Sequence, residues 1–310
     1  MKNTCFIVGA GFTSDVSEHQ FPLMSELLDK LKVTAPDLYN EYHFEKDNNI
    51  ETSFTRLDID IMSGNGSDLE NKRLKLINII EEVFSMNGRP PKDNLQSNIF
   101  LDCLSNKDMI LTTNYECYLE NLLGYDRWSF HGGYGNALNY GGVPDPQENE
   151  NRMGIVIYKI HGSLSFKVVE SYNNADDKDV EISLNKKEYP TFHSSLGWTT
   201  EKYPFLFLPS YIKVTSFRNM FDHYREAISN MKKMSRLVII GSKLRPEDYV
   251  LWMILSYVHP VNTDVFIISP EANDTKAILI KNLKIEEEKI YTYVGKFSEK
   301  AHDFYCDFKK

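Results

Sequence analysis

The feature that most constrains this chain of 310 residues is a series of short, almost wholly apolar runs with helical patterns between them. A strand covered on both faces by helices carries continuous apolar residues, because neither face meets water. Strands alternating with helices favour a parallel sheet, since right-handed crossovers place helices on both faces. We therefore predict an α/β fold with a doubly wound parallel sheet. The predicted strands cover residues 5–8, 109–111, 155–160, 206–208, 237–240 and 265–268.

Periodic apolar residues predict the helices, and two regions interrupt the alternation. The clearest helical pattern starts at Ser67, which forms a capping-box pattern with Glu70. Residues 124–152 are rich in Gly, Asn, Pro and Tyr, and residues 171–203 are polar. We assign both regions to loops or small insertions within one domain spanning residues 1–310. The other predicted helices cover residues 22–31, 217–231, 247–258 and 275–283.

Composition and charge restrict the partners and the location of the chain. Hydrophobic residues make up 42% of it, which can supply a buried core, and the formal net charge is −9. Phosphate backbones and anionic membranes repel a negative surface, so we expect no direct binding to nucleic acid or membrane. No apolar stretch has the length of a bilayer span, and the first run is too short for a signal peptide. We expect a soluble, cytoplasmic protein.

The spacing of the cysteines argues against a metal site. Cys5, Cys103, Cys117 and Cys306 are widely separated, without the Cys-x-x-Cys pair that begins a zinc site. They also lack the density of a secreted disulfide scaffold. We predict reduced, mostly buried thiols and no bound metal.

A glycine-containing turn follows the first predicted strand and reads Gly9-Ala10-Gly11-Phe12-Thr13-Ser14. Such a turn lets backbone amides approach a pyrophosphate, and a side chain at Gly9 or Gly11 would obstruct that approach. The third glycine of the dehydrogenase pattern is missing, because Ser14 stands there, and the residues that follow do not read as a helix start. Taken alone, the turn is explained equally well as an ordinary exit from a strand.

Three further polar turns follow apolar runs in the same way. In an open parallel sheet the carboxyl ends of the strands converge on one crevice, where ligands bind. Four polar turns at four strand ends are therefore what a nucleotide site needs. The three turns are Thr112-Thr113-Asn114-Tyr115-Glu116, Lys159-Ile160-His161-Gly162-Ser163 and Gly241-Ser242.

The four turns, in this order, resemble the motifs of the sirtuin superfamily, and more closely its bacterial SIR2-like branch associated with anti-phage defence. Residues 9–13 match the Gly-Ala-Gly-x-Ser/Thr turn, and residues 112–116 resemble Thr-Thr-Asn-Tyr-Asp. Residues 159–163 are similar to the catalytic His-Gly motif, and Gly241, Ser242 and Asp248 to the late motif. The resemblance spans residues 5 to about 270. It implies a Rossmann-like fold that uses NAD⁺ as its substrate.

The resemblance also assigns roles to individual residues. It implies that Asn114 and His161 are catalytic, which suits an amide that can donate and accept and an imidazole that takes a proton near neutral pH. It implies no metal. The residues it assigns to NAD⁺ binding are Gly9, Ala10, Gly11, Phe12, Thr13, Thr113, Glu116, Gly241, Ser242 and Asp248.

Departures from the family decide which reaction we predict. Protein-deacylating sirtuins carry a four-cysteine zinc module and an Ile-Pro-Asp-Phe-Arg loop, whereas this chain has no paired cysteines and reads Gln-Phe-Pro-Leu-Met at 20–24. Glu116 replaces the usual Asp, and Ser269 stands where sirtuins often place Asn. We predict a fold without a zinc module and an NAD⁺ glycohydrolase that releases nicotinamide and ADP-ribose. The resemblance implies an NAD⁺-depleting effector of anti-phage defence, controlled by homo-oligomer assembly or by a separate sensor or regulatory protein.

Other interpretations remain open at the level of sequence. The chain could be a non-catalytic sensor of NAD⁺ or ADP-ribose, whereas a dehydrogenase is disfavoured by the missing third glycine and by the lack of an acidic residue after a second strand. Asn114 could cap a helix starting near Glu116, and Asp248 could occupy the first turn of a helix. His131, also followed by Gly, is a rival to His161, although no long apolar run precedes it.

Overall fold

The computed structural model describes residues 2–44, 50–64, 68–130, 132–138, 154–170, 178–182, 187–190, 205–206, 218–246 and 248–310. The strands are β1 Thr4–Val8, β2 Met109–Thr112, β3 Val156–Lys159, β4 Gly162–Ser163, β5 Phe166–Glu170, β6 Lys178–Ile182, β7 Phe205–Leu206, β8 Arg236–Ile240, β9 Asp264–Ser269 and β10 Ile290–Val294. The helices are α1 Ala10–Val16, α2 Met24–Thr34, α3 Pro36–Glu41, α4 Ile50–Met62, α5 Leu69–Phe84, α6 Leu95–Cys103, α7 Tyr118–Arg127, α8 Arg218–Met231, α9 Tyr249–Leu255, α10 Ala272–Leu283 and α11 Phe297–Phe308.

A six-stranded parallel sheet forms the centre of the molecule, in the order β10-β9-β8-β1-β2-β3. From β1 the chain winds outward through β2 and β3, and then returns to the other side of β1 for β8, β9 and β10. This confirms the predicted doubly wound, Rossmann-like α/β class. The direction of winding reverses between β1 and β8, and the carboxyl ends of strands at such a reversal border a crevice.

The main core packs around this sheet, as the apolar runs require. All residues of β1 and β2 are buried, including Thr4 and Thr112. Three aromatic rings from different helices meet beside β1: Phe12 of α1 lies 4.7 Å from Phe100 of α6 and 5.2 Å from Phe297 of α11, measured between ring centroids. These contacts fix α1, which begins at the first turn, against the amino-terminal end of α11.

Helices α2 to α5 form a second hydrophobic cluster that the sequence did not distinguish from the main core. It includes Leu27, Leu31, Phe54 and Leu76, all of which are almost fully buried. Tyr115, from the turn after β2, also packs in this cluster. The helical segment between α1 and α6 is therefore held against the loop that follows β2.

The predicted insertions correspond only in part to the observed structure. Most of residues 124–152 and 171–203 lies outside the described residues, but Glu188 and Tyr189 in the second region are buried. Glu188 is only 2% exposed and accepts a hydrogen bond from the Met86 amide, and Tyr189 is fully buried. This segment therefore contributes buried side chains beside α5 and α7.

The strand predicted at 206–208 does not join the main sheet. Phe205–Leu206 pairs antiparallel with β4 in a separate two-stranded sheet, and residues 207 and 208 lie outside the described residues. The sixth place in the main sheet belongs to β10, which was not predicted. Its burial pattern is mixed, since it is an edge strand with Tyr291 45% exposed, and so it lacks the continuous apolar run used to recognise the other strands.

The first turn leads directly into a helix, contrary to the prediction. Helix α1 begins at Ala10, and Gly9 precedes it as the N-cap residue. The amides of Gly9 and Gly11 donate hydrogen bonds to the carbonyl oxygens of Ile240 and Gly241, at 3.0 and 3.1 Å. The turns after β1 and β8 are thus joined to each other through their backbones.

This junction explains the glycines better than the expected approach of a ligand does. A Cβ at Gly9 would lie 2.4 Å from the Gly241 carbonyl oxygen, and one at Gly241 would lie 2.1 Å from the Phe12 nitrogen. Gly241 also has a φ of +60°, a left-handed conformation that glycine adopts without steric cost. The two turns touch only because neither carries a side chain there.

Two other expectations concern the thiols and the membrane. Cys5, Cys103 and Cys117 are buried free thiols and Cys306 is an exposed one, which confirms the predicted reduced cysteines. Among the described helices, none combines the length and the apolar character that a membrane crossing demands.

The junction between the two turns predicts a large loss of stability for Gly241→Ala. The added methyl group would meet the Phe12 backbone and occupy a left-handed conformation, so we expect the free energy of unfolding to fall by about 3 kcal/mol or more. Gly88→Ala is the matched control, because Gly88 has a φ of +74° but nothing lies near its would-be Cβ. It should cost only about 1 kcal/mol. Urea unfolding measures both, and equal losses would contradict the steric explanation.

Candidate active site

A cavity of ≈ 550 Å³ lies at the carboxyl-terminal edge of the sheet, where the turns after β1, β2, β3, β8 and β9 meet. Its position is that of the crevice expected at the reversal between β1 and β8. The helical segment also contributes to its wall through Leu23, Ser25 and Phe84. All the residues predicted from the motifs except Thr13 line it, namely Gly9, Ala10, Gly11, Phe12, Thr113, Asn114, Glu116, His161, Gly241, Ser242 and Asp248.

Asn114 enters the cavity wall from the turn after β2. Its side-chain nitrogen donates to the Thr13 hydroxyl at 3.1 Å and to the Glu116 carboxylate at 2.9 Å. Both amide hydrogens are therefore engaged, and the carbonyl Oδ1 is the polar atom that Asn114 can present to the cavity. The alternative role of Asn114 as a helix cap is not observed, because α7 begins at Tyr118 with Cys117 as its N-cap residue.

Thr13, which the motif predicts to bind NAD⁺, is not among the residues that line the cavity. Its side chain is only 1% exposed and lies behind Asn114, and its hydroxyl accepts a hydrogen bond from the Asn114 amide. The reason is that α1 begins inside the glycine turn and carries Thr13 into the interior. Thr13 thus supports Asn114 rather than facing the cavity.

Glu116 contacts Asn114 and is otherwise buried, with 4% of its surface exposed. Burial raises the pKa of its carboxyl group from 4.5 to about 7, against the opposing charge of Lys159. Glu116 was predicted to bind NAD⁺, and it does line the cavity. Its carboxylate accepts hydrogen bonds from the Asn114 amide and from the Thr13 hydroxyl, both of which belong to predicted site residues.

A buried lysine lies behind this turn. Lys159 ends β3, is 0% exposed, and donates to the backbone carbonyl of Glu116. It also forms an ion pair of 3.1 Å with Glu120, which is equally buried. Burial is the largest single influence and disfavours the ammonium ion, but Glu120, Cys117 and Glu116 together outweigh it, and the pKa of Lys159 lies above its ordinary value. The sequence signal for this residue is a lysine at the end of an otherwise apolar strand, which requires a buried partner.

His161 lies in the turn between β3 and β4 and is 7% exposed. Its Nε2 is 2.7 Å from Oδ1 of Asp248, the residue that precedes α9. Because a carboxylate only accepts hydrogen bonds, Nε2 carries a hydrogen, and Nδ1 is then the basic nitrogen of the neutral ring. Asp248 therefore orients the imidazole, in addition to its position in the cavity wall. The rival His131 lies outside the described residues.

The turn after β1 contributes a further pair that sequence analysis missed. Ser14 and His19 both line the cavity, and the Ser14 hydroxyl is 3.1 Å from Nδ1 of His19. Next to them, Asp15 accepts two hydrogen bonds of 2.7 Å from the amide and the hydroxyl of Ser298 at the start of α11. Helix α11 is thereby tied to the cavity wall. The motif assigned no role to Ser14, which ends the recognised turn, and Asp15 and His19 follow it.

Charged and polar groups line the part of the cavity beside β8, β9 and β10. Lys243, Arg245 and Lys296 are cationic, and Lys243 pairs with Glu271 at 2.8 Å. The Ser269 hydroxyl is buried and has no hydrogen-bond partner among the described residues. A buried hydroxyl without a partner carries a desolvation cost that a bound ligand can relieve.

Within the described part of the chain, no group of three or more His, Cys, Asp and Glu side chains is arranged to hold a metal ion.

Comparisons with known proteins give matches of fold only. No protein-family model matches the chain, and no curated protein matches it. Among solved structures it is similar to a Sir2 homologue in complex with NAD, with 12% identity and a TM-score of 0.46 over 99% of this chain and 90% of that chain. A mutant Sir2 homologue in complex with ADP-ribose is 12% identical and has a TM-score of 0.44, over 99% of this chain and 92% of that chain. Sir2Tm bound to a propionylated peptide is 12% identical and has a TM-score of 0.38, over 98% of this chain and 92% of that chain. All three TM-scores lie below 0.5, so we interpret the cavity from its own contacts.

The raised pKa of Glu116 predicts a pH-dependent contribution to stability. Between pH 4.5 and about 7 the folded chain holds a proton that the unfolded chain has released, so the free energy of unfolding falls as the pH rises through this range. Glu116→Gln removes the effect. As the pH rises from 5 to 8, we expect the free energy of unfolding of the variant to increase by about 1 to 3 kcal/mol relative to that of the natural chain.

Urea unfolding at the two pH values checks this prediction. Glu288→Gln, at an exposed position, is the matched control and should follow the natural chain. If the variant at 116 also runs parallel to the natural chain, the carboxyl group titrates at its ordinary pKa.

Proposed function

We propose that this chain binds NAD⁺ in the cavity and hydrolyses the bond between nicotinamide and ribose, releasing nicotinamide and ADP-ribose. The observation that carries the proposal is that Asn114 and His161, which are 47 positions apart in the chain (161 − 114), line one cavity and are each hydrogen-bonded to a carboxylate. An amide and an oriented imidazole facing a common space are the groups that the sequence motifs imply for this reaction.

The size and charge of the cavity suit a dinucleotide. A volume of ≈ 550 Å³ falls within the usual range for small-molecule sites. Lys243, Arg245 and Lys296 line it and can offset the charge of a pyrophosphate. The unpartnered Ser269 hydroxyl offers a hydrogen bond to a ribose or phosphate oxygen. The amides of Gly9 and Gly11, by contrast, already donate to backbone carbonyls, and we assign the recognition of phosphate to the cationic side chains.

Cleavage of NAD⁺ makes modest demands on the protein. The nicotinamide ring of NAD⁺ carries a positive charge. When the bond to ribose breaks, the ring takes both bonding electrons and leaves as neutral nicotinamide, so no acid has to protonate it. The remaining ribosyl centre resembles an oxocarbenium ion, and a water oxygen then bonds to its anomeric carbon. The protein must orient the ribose, limit access of bulk water and accept the proton released by the attacking water.

Asn114 and His161 match these tasks. Oδ1 of Asn114 can accept a hydrogen bond from a ribose hydroxyl or from the attacking water without adding a charge. Nδ1 of His161 can take the proton, because Nε2 donates to Asp248 and stabilises the imidazolium that forms. After each turnover the proton returns to solvent.

The proposed function predicts which substitutions abolish cleavage. We expect the purified chain to convert NAD⁺ to nicotinamide and ADP-ribose, as followed by chromatography. Asn114→Ala and His161→Ala should each lower kcat by about 100-fold or more, since each removes a group that acts on the reacting centre. Asp248→Asn should lower it less, because the imidazole itself remains.

Asn262→Ala and His259→Ala are the matched controls for this experiment. Both residues are exposed and precede β9, at the opposite edge of the sheet from the cavity. They should leave kcat unchanged. Full activity of Asn114→Ala or His161→Ala would refute the proposed site, and binding of NAD⁺ without any cleavage by the natural chain would favour the sensor interpretation.

The biological role that we propose rests on the motif resemblance. It is depletion of NAD⁺ in the cytoplasm during phage infection, with activity released by oligomer assembly or by a separate sensor protein. Cellular NAD⁺ should fall after infection of bacteria that express the natural chain together with its neighbouring genes, and should not fall with His161→Ala. Constant NAD⁺ in both cultures would contradict this role.

A further inference from the structure

A set of buried charges behind Asn114 has no task in the proposed chemistry. It consists of Glu116, Lys159 and Glu120, none of which is more than 4% exposed. Buried charges are costly unless they are paired, and an ion pair is often replaceable by apolar residues without loss of stability. When both carboxyl groups are ionised, two carboxylates around one ammonium ion leave an excess negative charge in the interior. Such an arrangement is a poor way to stabilise a fold, which points to a role in the site.

The geometry connects this set to the orientation of one amide. Glu116 Oε1 accepts from the Asn114 nitrogen at 2.9 Å, and Lys159 holds the Glu116 backbone through its carbonyl oxygen. An ionised carboxylate has no hydrogen to donate, so only the nitrogen end of the Asn114 amide can face it. The Thr13 hydroxyl accepts from the same nitrogen and donates its own hydrogen to the Glu116 carboxylate, which can only accept. Glu116 therefore fixes the orientation of the Asn114 amide both directly and through the Thr13 hydroxyl.

We propose that Glu116 is a positioning residue that fixes the Asn114 amide with Oδ1 toward the cavity, and that Lys159 keeps Glu116 in place for this task. The inference rests on the proposed function, because Oδ1 matters only if it accepts from the ribose or the attacking water. It differs from the predicted role of Glu116 as a direct contact to NAD⁺. Glu116 acts through Asn114, and Asn114 touches the substrate.

This role makes the orientation of Asn114 depend on the protonation of Glu116. A protonated carboxyl group can donate its hydrogen to Oδ1, so the amide can turn and present its nitrogen to the cavity instead. The groups that face Glu116 are Lys159 from β3, Glu120 from α7 and the Thr13 hydroxyl from α1. Lys159 favours the ionised carboxylate, whereas Glu120 and burial oppose it. Acidification should therefore weaken the contact between Asn114 and the ribose.

Glu116→Gln tests the proposal, since glutamine has the same shape but can face Asn114 with either end of its own amide. We expect kcat for NAD⁺ at pH 8 to fall by about tenfold or more while the resistance to urea is unchanged or higher. A purely structural role would instead lower both together. Glu116→Asp, which keeps the carboxylate, should recover part of the rate, and Glu288→Gln should equal the natural chain.

The pH profile provides a second readout. Protonation of Glu116 turns the Asn114 amide in the natural chain, so kcat should fall more steeply on acidification in the natural chain than in Glu116→Gln. A rate for Glu116→Gln within twofold of the natural chain, with an unchanged profile, would overturn the inference while leaving the proposed function intact.

The affinity for ADP-ribose, measured by calorimetry at pH 8, separates this inference from the proposed function. If the natural chain binds ADP-ribose but does not cleave NAD⁺, hydrolysis is refuted. The positioning role of Glu116 is then tested by comparing the ADP-ribose affinities of Glu116→Gln and the natural chain. An affinity at least fivefold weaker in Glu116→Gln supports the positioning role, and an equal affinity overturns it. If the natural chain neither binds ADP-ribose nor cleaves NAD⁺, both proposals fail.

Discussion

The backbone junction between the turns after β1 and β8 is the constraint on which the cavity depends. Gly9 and Gly11 donate to Ile240 and Gly241, and this brings the two central strands to a common end. Residues from both arms of the sheet can then face one space, because the arms diverge from this point. The glycines serve the protein's own packing first. The crevice that this packing leaves beside them is the site where we propose that a ligand binds.

The two principal side chains of the cavity are held in the same way. Asn114 bonds to Glu116, and His161 bonds to Asp248, so each has a carboxylate that fixes which of its polar atoms faces inward. Both partners accept and cannot donate when ionised, which removes the ambiguity of an amide or an imidazole. Orientation by a fixed acceptor restricts the rotation of a group before substrate arrives, and this reduces the entropy lost on reaching the reactive geometry.

Sequence reasoning recovered the sheet centre and the lining of the cavity, and failed where the pattern carried no signal. The runs 5–8, 109–111, 237–240 and 265–268 are buried on both faces, so their apolar composition identified them. Strand β10 is an edge strand of mixed burial and was missed. Thr13 belongs to a recognised motif, but only the start of α1 at Ala10 reveals that it faces inward. The burial of Lys159 depends on Glu120, a partner that the motif does not include.

The attachment of α11 to Asp15 also has a consequence for biosynthesis. Residues at both ends of the described chain, from Gly9 to Phe297, share one cavity wall, and Ser298 ties the last helix to the first. A nascent chain still lacking α11 has no complete wall, so the cavity is finished only after α11 has been synthesised and has docked on Asp15.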